Sequence, residues 1–252
     1  MLEELPKPAV IAHRGASAYA PENTLAAFKL AVQQQADAIE LDVTLSADDH
    51  VVIFHDKTLD RTTDGQGSVS NLPLAALREL DAGSFYDVSF RRERIPTLGE
   101  VFETVGKKIF INIELKSNSL FVEKLVKAVV KCVKEYNMSS RVLFSSFNFI
   151  ALKQTAKLLP EVPNGLLSLT GFASACARTW FKELIPHQSL HISLQDARQG
   201  LIDRVHGQGC CVFAYTINRT EDIQRLLNLG IDGMFTNDPP LAIRTIAMQK
   251  AK

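Results

Sequence analysis

AIELDVTL, residues Ala38–Leu45, decides the fold. An extended strand sends alternate side chains to the same face, so Glu40 and Asp42 point one way while Ile39, Leu41 and Val43 point the other. A solvated sheet face is the ordinary reason for such alternation. Here the apolar run Val51–Phe54 follows within a few residues, which argues for a strand covered on both sides. Two carboxylates held side by side repel unless a cation or a proton lies between them. The strand is bracketed in sequence by His13, in His-Arg-Gly, and by His55, in His-Asp, and imidazoles titrate near neutral pH. Together these residues imply a metal-dependent acid–base site.

The pattern recurs in FINIELK, Phe110–Lys116, where Asn112, Glu114 and Lys116 share one face and Ile111, Ile113 and Leu115 the other. Further strands are expected at Pro8–His13, Val142–Phe147, Gly165–Leu169, Leu190–Leu194, Cys211–Ile217 and Gly233–Asn237, making eight, most of them followed by a helical stretch. Among these helices are Thr24–Gln35, with Asn23 expected as its cap, Leu120–Tyr136, Phe149–Leu159 and Leu241–Lys250. Eight strands alternating with helices in 252 residues indicate a (β/α)8 TIM barrel. An open doubly wound sheet is disfavoured, because no G-x-G-x-x-G follows a strand. The polar turn Ser46–His50 leads into VVIFHD as a hairpin arm. Residues 57–108 break the rhythm with turn formers and short helices, and read as a small insertion after the second strand region of a single domain spanning 1–252.

Active sites of such barrels lie at the carboxyl ends of the strands. Polar residues fall there repeatedly: His13 and Arg14, Glu40 and Asp42, Glu114 and Lys116, Ser145 and Ser146, Asn218, and Asn237, with Phe147 and Tyr215 at the same level. So many buried charges are costly unless they share a site. Glu40, Asp42 and Glu114 are hard oxygen ligands suited to Mg²⁺, Ca²⁺ or Mn²⁺. Arg14 and Lys116 match phosphate oxygens, and His13 and His55 remain for proton transfer, a kit suited to phosphoryl chemistry on a small diester.

Composition excludes other classes. Lys+Arg and Asp+Glu are both 28, so no global charge draws the chain to nucleic acid or an anionic membrane. Cys132, Cys176, Cys210 and Cys211 form no C-x-x-C pair and read as buried free thiols of a reducing compartment. The acidic start MLEELPKPAV and the lack of a long apolar run point to a soluble cytoplasmic protein.

The segments His13–Phe28, Ala38–Gly67, INIELK, YTIN and GIDGMFTNDP, in this order, resemble the glycerophosphodiester phosphodiesterases over about Val10–Pro239. The resemblance implies a (β/α)8 barrel with an insertion, and hydrolysis of a glycerophosphodiester to an alcohol and sn-glycerol 3-phosphate with a divalent cation. It further implies His13 and His55 as the acid–base pair, Glu40, Asp42 and Glu114 as metal ligands, and Arg14 and Lys116 as phosphate contacts. Glu22 and Asn23 would shape the mouth, with Phe147 and Tyr215 beside the substrate. The family often has Trp where this chain has Tyr215, so packing of the glycerol or head group is expected to differ. The expected route is attack by the neighbouring glycerol hydroxyl to give a cyclic phosphate that water then opens. A lysophospholipase D-like hydrolase and a non-catalytic phosphate-binding barrel are the alternatives, and an aldolase on the same barrel is a more distant one.

Overall fold

Eight parallel strands close on themselves, in the sequence order β1 (Ala9–Ala12), β2 (Ala38–Leu45), β4 (Phe110–Leu115), β5 (Val142–Ser146), β6 (Asn164–Leu167), β7 (Ser189–Ser193), β8 (Cys211–Tyr215) and β9 (Gly233–Thr236), with β9 pairing back to β1. β3 (Val51–Ile53) folds back antiparallel on the end of β2, as the Ser46–His50 turn requires. The structure is a computed structural model and describes residues 1–116, 122–171 and 185–251. The helical stretch expected after Gly165–Leu169, the first part of the helix expected at 120–136, and Cys176 lie wholly or partly outside these residues.

The expected two-faced strands account for the layers. Ile39, Leu41, Val43, Ile111, Ile113 and Leu115 pack outward against α1 (Leu25–Gln33), α3 (Leu98–Val101) and α4 (Glu123–Glu135). A second outer core joins β7 and β8 to α6 (Gln199–Gly207), α7 (Thr220–Asn228) and α8 (Pro239–Lys250). Ala9, Ile11, Ala38, Leu143, Phe213 and Phe235 fill the barrel interior below the mouth. Residues 57–108 hold a small core of their own, in which Leu59, Val69, Leu77 on α2 (Leu74–Leu77), Ala82 and Ile95 pack beneath Val52 and Phe54. α5 (Phe149–Leu158) follows β5 as expected.

Thr24, not Asn23, caps α1: its Oγ1 accepts from the Ala27 amide at 3.3 Å. Asn23 is drawn elsewhere. It takes a left-handed backbone, φ 58°, and its Nδ2 donates to Asp42 Oδ2 at 2.9 Å, because a buried carboxylate competes for it and the adjacent threonine can take over the cap. α8 begins two residues earlier than expected, since prolines fit the first helical turn. The three described cysteines carry free thiols, but only Cys210 is fully buried. Among the described residues no helix is long and apolar enough to cross a membrane.

Candidate active site

The site begins with a turn. Arg14 and Gly15 follow β1 with φ of 57° and 83°, and a Cβ at Gly15 would lie 2.7 Å from the Ala27 backbone carbon, so only glycine lets the chain turn there against α1. The turn aims the Arg14 amide at β2, where it donates to Glu40 Oε2 at 2.9 Å. The Arg14 side chain reaches Glu22 Oε1 at 2.8 Å and Asp42 Oδ2 at 3.4 Å. The parallel register sets Asp42 opposite Glu114, and Lys116 Nζ lies 2.9 Å from Glu114 Oε1 and 3.5 Å from Asp42 Oδ1.

One oxygen from each of Glu40, Asp42 and Glu114 lies within 4.8 Å of the others. Glu40 Oε1 and Asp42 Oδ1 are buried and accept no hydrogen bond, the Lys116 ammonium reaching Asp42 Oδ1 only as an ion pair at 3.5 Å. Oxygens left in that state are what a hard cation would satisfy, so the cluster fits Mg²⁺, Ca²⁺ or Mn²⁺. Protonation follows the crowding. Burial and the charges of Asp42 and Glu114 push Glu40 well above the usual carboxylate range. Burial and Asp42 raise Glu114 to about 7, against the pull of Lys116. Burial raises Asp42 too, but Lys116, Arg14 and His55 outweigh it and hold Asp42 below its ordinary value.

His13 Nδ1 lies 2.8 Å from Asn237 Oδ1. An amide oxygen only accepts, so Nδ1 carries the proton and Nε2 keeps its lone pair. Burial and the neighbouring Arg14 lower His13 to about 4, so it is neutral at pH 7. His55 Nδ1 sits 2.6 Å from Asp56 Oδ1. A cavity of about 270 Å³ is lined by His13, Arg14, Glu40, His55, Glu114 and Lys116, with Phe147 and Tyr215 on its wall. Those two rings meet edge to face at 6.4 Å, and the Tyr215 hydroxyl donates to the Ser168 carbonyl.

The structure thus brings His13, Arg14, Glu40, His55, Glu114, Lys116, Phe147 and Tyr215 onto one cavity, and Asp42 completes the acid cluster behind its wall. Glu22 stands behind Arg14 and Asn23 behind Asp42, both away from the cavity wall. Three contributors were not expected in their roles. Asn237 was legible only as a strand-end polar residue, Arg61 had no local signal at all, and His191 looked like an ordinary residue of an apolar strand. His191 lines the cavity floor between Phe213 and Phe235, with ring centroids at 5.3 and 5.0 Å, and its Nδ1 is buried without a partner.

Burial, with a smaller contribution from His187, lowers His191 from 6.5 to about 3. A depressed folded-state value means the unfolded chain binds the extra proton first. Its stabilising effect is therefore complete above about pH 6.5 and is lost as pH falls toward 3. The difference in unfolding free energy between the protein and His191→Gln should shrink by about 1.4 kcal/mol per pH unit across that window. Urea titrations of both at pH 7 and pH 5 measure it, and parallel shifts would refute it.

The comparisons with known proteins agree. The model of the Glycerophosphoryl diester phosphodiesterase family matches residues 13–241. A glycerophosphodiester phosphodiesterase of Caldanaerobacter subterraneus subsp. tengcongensis is 41% identical over 95% of this chain and 98% of its own. An Oleispira antarctica phosphodiesterase, solved with the product sn-glycerol-3-phosphate, superposes with a TM-score of 0.89 at 38% identity, covering 96% of this chain and 97% of that one. The Thermotoga maritima glycerophosphodiester phosphodiesterase does so with a TM-score of 0.76 at 29% identity, covering 94% and 97%. With its barrel, its acid cluster and these likenesses together, the chain belongs to the glycerophosphoryl diester phosphodiesterase family.

Proposed function

We propose that this chain, acting as one barrel domain with 57–108 as an insertion, hydrolyses glycerophosphodiesters to an alcohol and sn-glycerol 3-phosphate. One observation carries the reading: two histidines, two cationic side chains and the acid cluster converge on one small cavity. Drug-sized ligands fill roughly 300–1,000 Å³, so a cavity of about 270 Å³ suits a compact polar substrate. The product held by the Oleispira relative supports the same assignment.

Glu40, Asp42 and Glu114 would hold the divalent cation, Mg²⁺ or Ca²⁺. When bound it supplies Lewis-acid charge to a nonbridging phosphate oxygen and lowers the pKa of a neighbouring hydroxyl. Arg14 and Lys116 present positive charge to the phosphate from opposite sides of Asp42. His13, neutral and with Nε2 unprotonated, takes the proton of the attacking glycerol hydroxyl. His55 protonates the departing alcohol oxygen, its ring held by Asp56. The phosphorus–oxygen bond to the alcohol breaks as the bond to the hydroxyl oxygen forms, leaving a cyclic phosphate. Water then opens the ring with the two histidines in exchanged roles.

Glycerophosphocholine and glycerophosphoethanolamine should be turned over in preference to bis(p-nitrophenyl) phosphate, and the reverse order would overturn the substrate assignment. The cyclic route makes a sharper demand. A substrate whose neighbouring hydroxyl is replaced by hydrogen should be essentially inert, whereas turnover at the parent rate would mean direct attack by water.

A second reading, a lysophospholipid diester as substrate, is favoured by one feature. Phe85, Tyr86 and Val88 of the insertion are exposed, and Tyr86 donates to the Ala18 carbonyl of the first loop at 2.7 Å. The segment packs only partly within the insertion, through the edge-on contact of Tyr86 with Phe90. Sedimentation with lysophospholipid-containing vesicles separates the two readings.

A further inference from the structure

Arg61 comes from the insertion and not from a barrel strand, yet it touches the site from two directions. Its Nε donates to Asp56 Oδ2 at 2.6 Å, and its two terminal nitrogens donate to Glu22 Oε2 and Oε1 at 2.8 Å each. A planar guanidinium with fixed donors can hold two carboxylates at a set spacing, which an ammonium cannot. Both carboxylates have a second partner. Asp56 Oδ1 meets His55 Nδ1 at 2.6 Å, and Glu22 Oε1 also accepts from Arg14 at 2.8 Å. Arg14 in turn lies 3.4 Å from Asp42. A chain of hydrogen bonds and ion pairs therefore runs His55–Asp56–Arg61–Glu22–Arg14–Asp42 around the mouth.

Stability alone does not explain this chain. The Arg61 side chain is 47% exposed and that of Asp56 27%, and ion pairs so open to water contribute little to folding. Their geometry matters more, because His55 lies past the end of β3, on the hairpin arm that leads into the insertion and not on a barrel strand. Two other bonds fasten the insertion to the first loop and α1: Tyr86 to Ala18 at 2.7 Å, and the Ala26 amide to Glu93 at 3.3 Å. Neither reaches a histidine or Arg14.

We infer that Arg61 is a positioning residue for the reaction, fixing the ring of His55 through Asp56 and the side chain of Arg14 through Glu22. The inference rests on the roles proposed above for His55 and Arg14. Without Arg61 the Asp56 carboxylate can turn to water, and the His55 ring loses its fixed acceptor. Small displacements of a reacting group cost about 10²-fold.

The test compares Arg61→Met, Arg61→Lys, Asp56→Asn and the Arg61→Met/Asp56→Asn double variant on glycerophosphocholine. Arg78→Met, which breaks the 2.7 Å pair with Glu100 elsewhere in the insertion, serves as the control. Arg61→Met should lose about 10²-fold in kcat with less change in KM, and Arg61→Lys should recover only part of it. The double variant should lose less than the product of the two single losses, because both changes act on the His55 ring. Guanidinium ion should partly rescue Arg61→Met, and Arg78→Met should keep full activity. Long-range ¹⁵N–¹H spectra without substrate, recorded at a pH where the imidazole is neutral, should show the Nδ1-protonated form of His55 giving way to a tautomer mixture in Arg61→Met. If Arg61→Met does not fold, Arg61→Lys carries the comparison. Unchanged kcat in Arg61→Met, independent losses that multiply in the double variant, or an unmoved His55 tautomer would overturn the inference. A wild-type protein that leaves glycerophosphodiesters intact would instead overturn the proposed activity, and the tautomer measurement is unaffected by that outcome.

Discussion

His13→Ala and His55→Ala are each expected to lower kcat by ~10²–10⁴-fold on a glycerophosphodiester, the usual worth of a placed general acid or base. The two rings are held differently. His13 is locked by Asn237 at 2.8 Å and kept neutral by burial and Arg14, whereas His55 is gripped by the Asp56 carboxylate at 2.6 Å. Both line the same cavity. Because one removes a proton while the other delivers one, the double variant should lose less than the product of the single losses. Steady-state kinetics on the three variants, with thermal melts to confirm folding, measure this. Multiplicative losses would mean that the histidines serve separate steps.

Glu40→Gln, Asp42→Asn and Glu114→Gln are expected to be at least as damaging, and a surface change such as Glu161→Gln harmless. Lewis-acid stabilisation of phosphoryl charge is worth several kcal/mol, on the order of 10³-fold in rate. Cation binding should also release protons, since burial and mutual repulsion hold Glu40 and Glu114 protonated more than their ordinary values allow, and a cation binds the ionised form. Calorimetry of Mg²⁺ or Ca²⁺ binding in buffers of different ionisation enthalpy reads that release directly. Its absence would mean that the cluster is already ionised before the cation arrives.

Period-two alternation in AIELDVTL and FINIELK made the barrel legible, because one face had to meet helices and the other the interior; the observed layers follow that division. The acid cluster was legible for the same reason, as strand register carries Asp42 and Glu114 to the same level. What lay in loops was not. Asn23 was read as a cap because its position before a helix suggested it, but the left-handed backbone at Arg14 and Asn23 turns both side chains onto Asp42. Arg61 and Glu22 are 39 residues apart, and no periodicity links an insertion to the first loop. His191 was hidden by a different effect. Gly165 on the neighbouring strand makes room for its ring, since a Cβ there would lie 2.4 Å from Nε2, and a pairing of that kind shows only in three dimensions.

Phosphorus NMR of glycerophosphocholine incubated with the protein and Mg²⁺ or Ca²⁺ tests the central claim most directly. The expected result is replacement of the diester signal by that of sn-glycerol 3-phosphate, abolished by excess EDTA after dialysis and by His13→Ala. Appearance of phosphocholine in its place, or full conversion in the presence of EDTA, would contradict a metal-dependent attack from the glycerol side between His13 and His55.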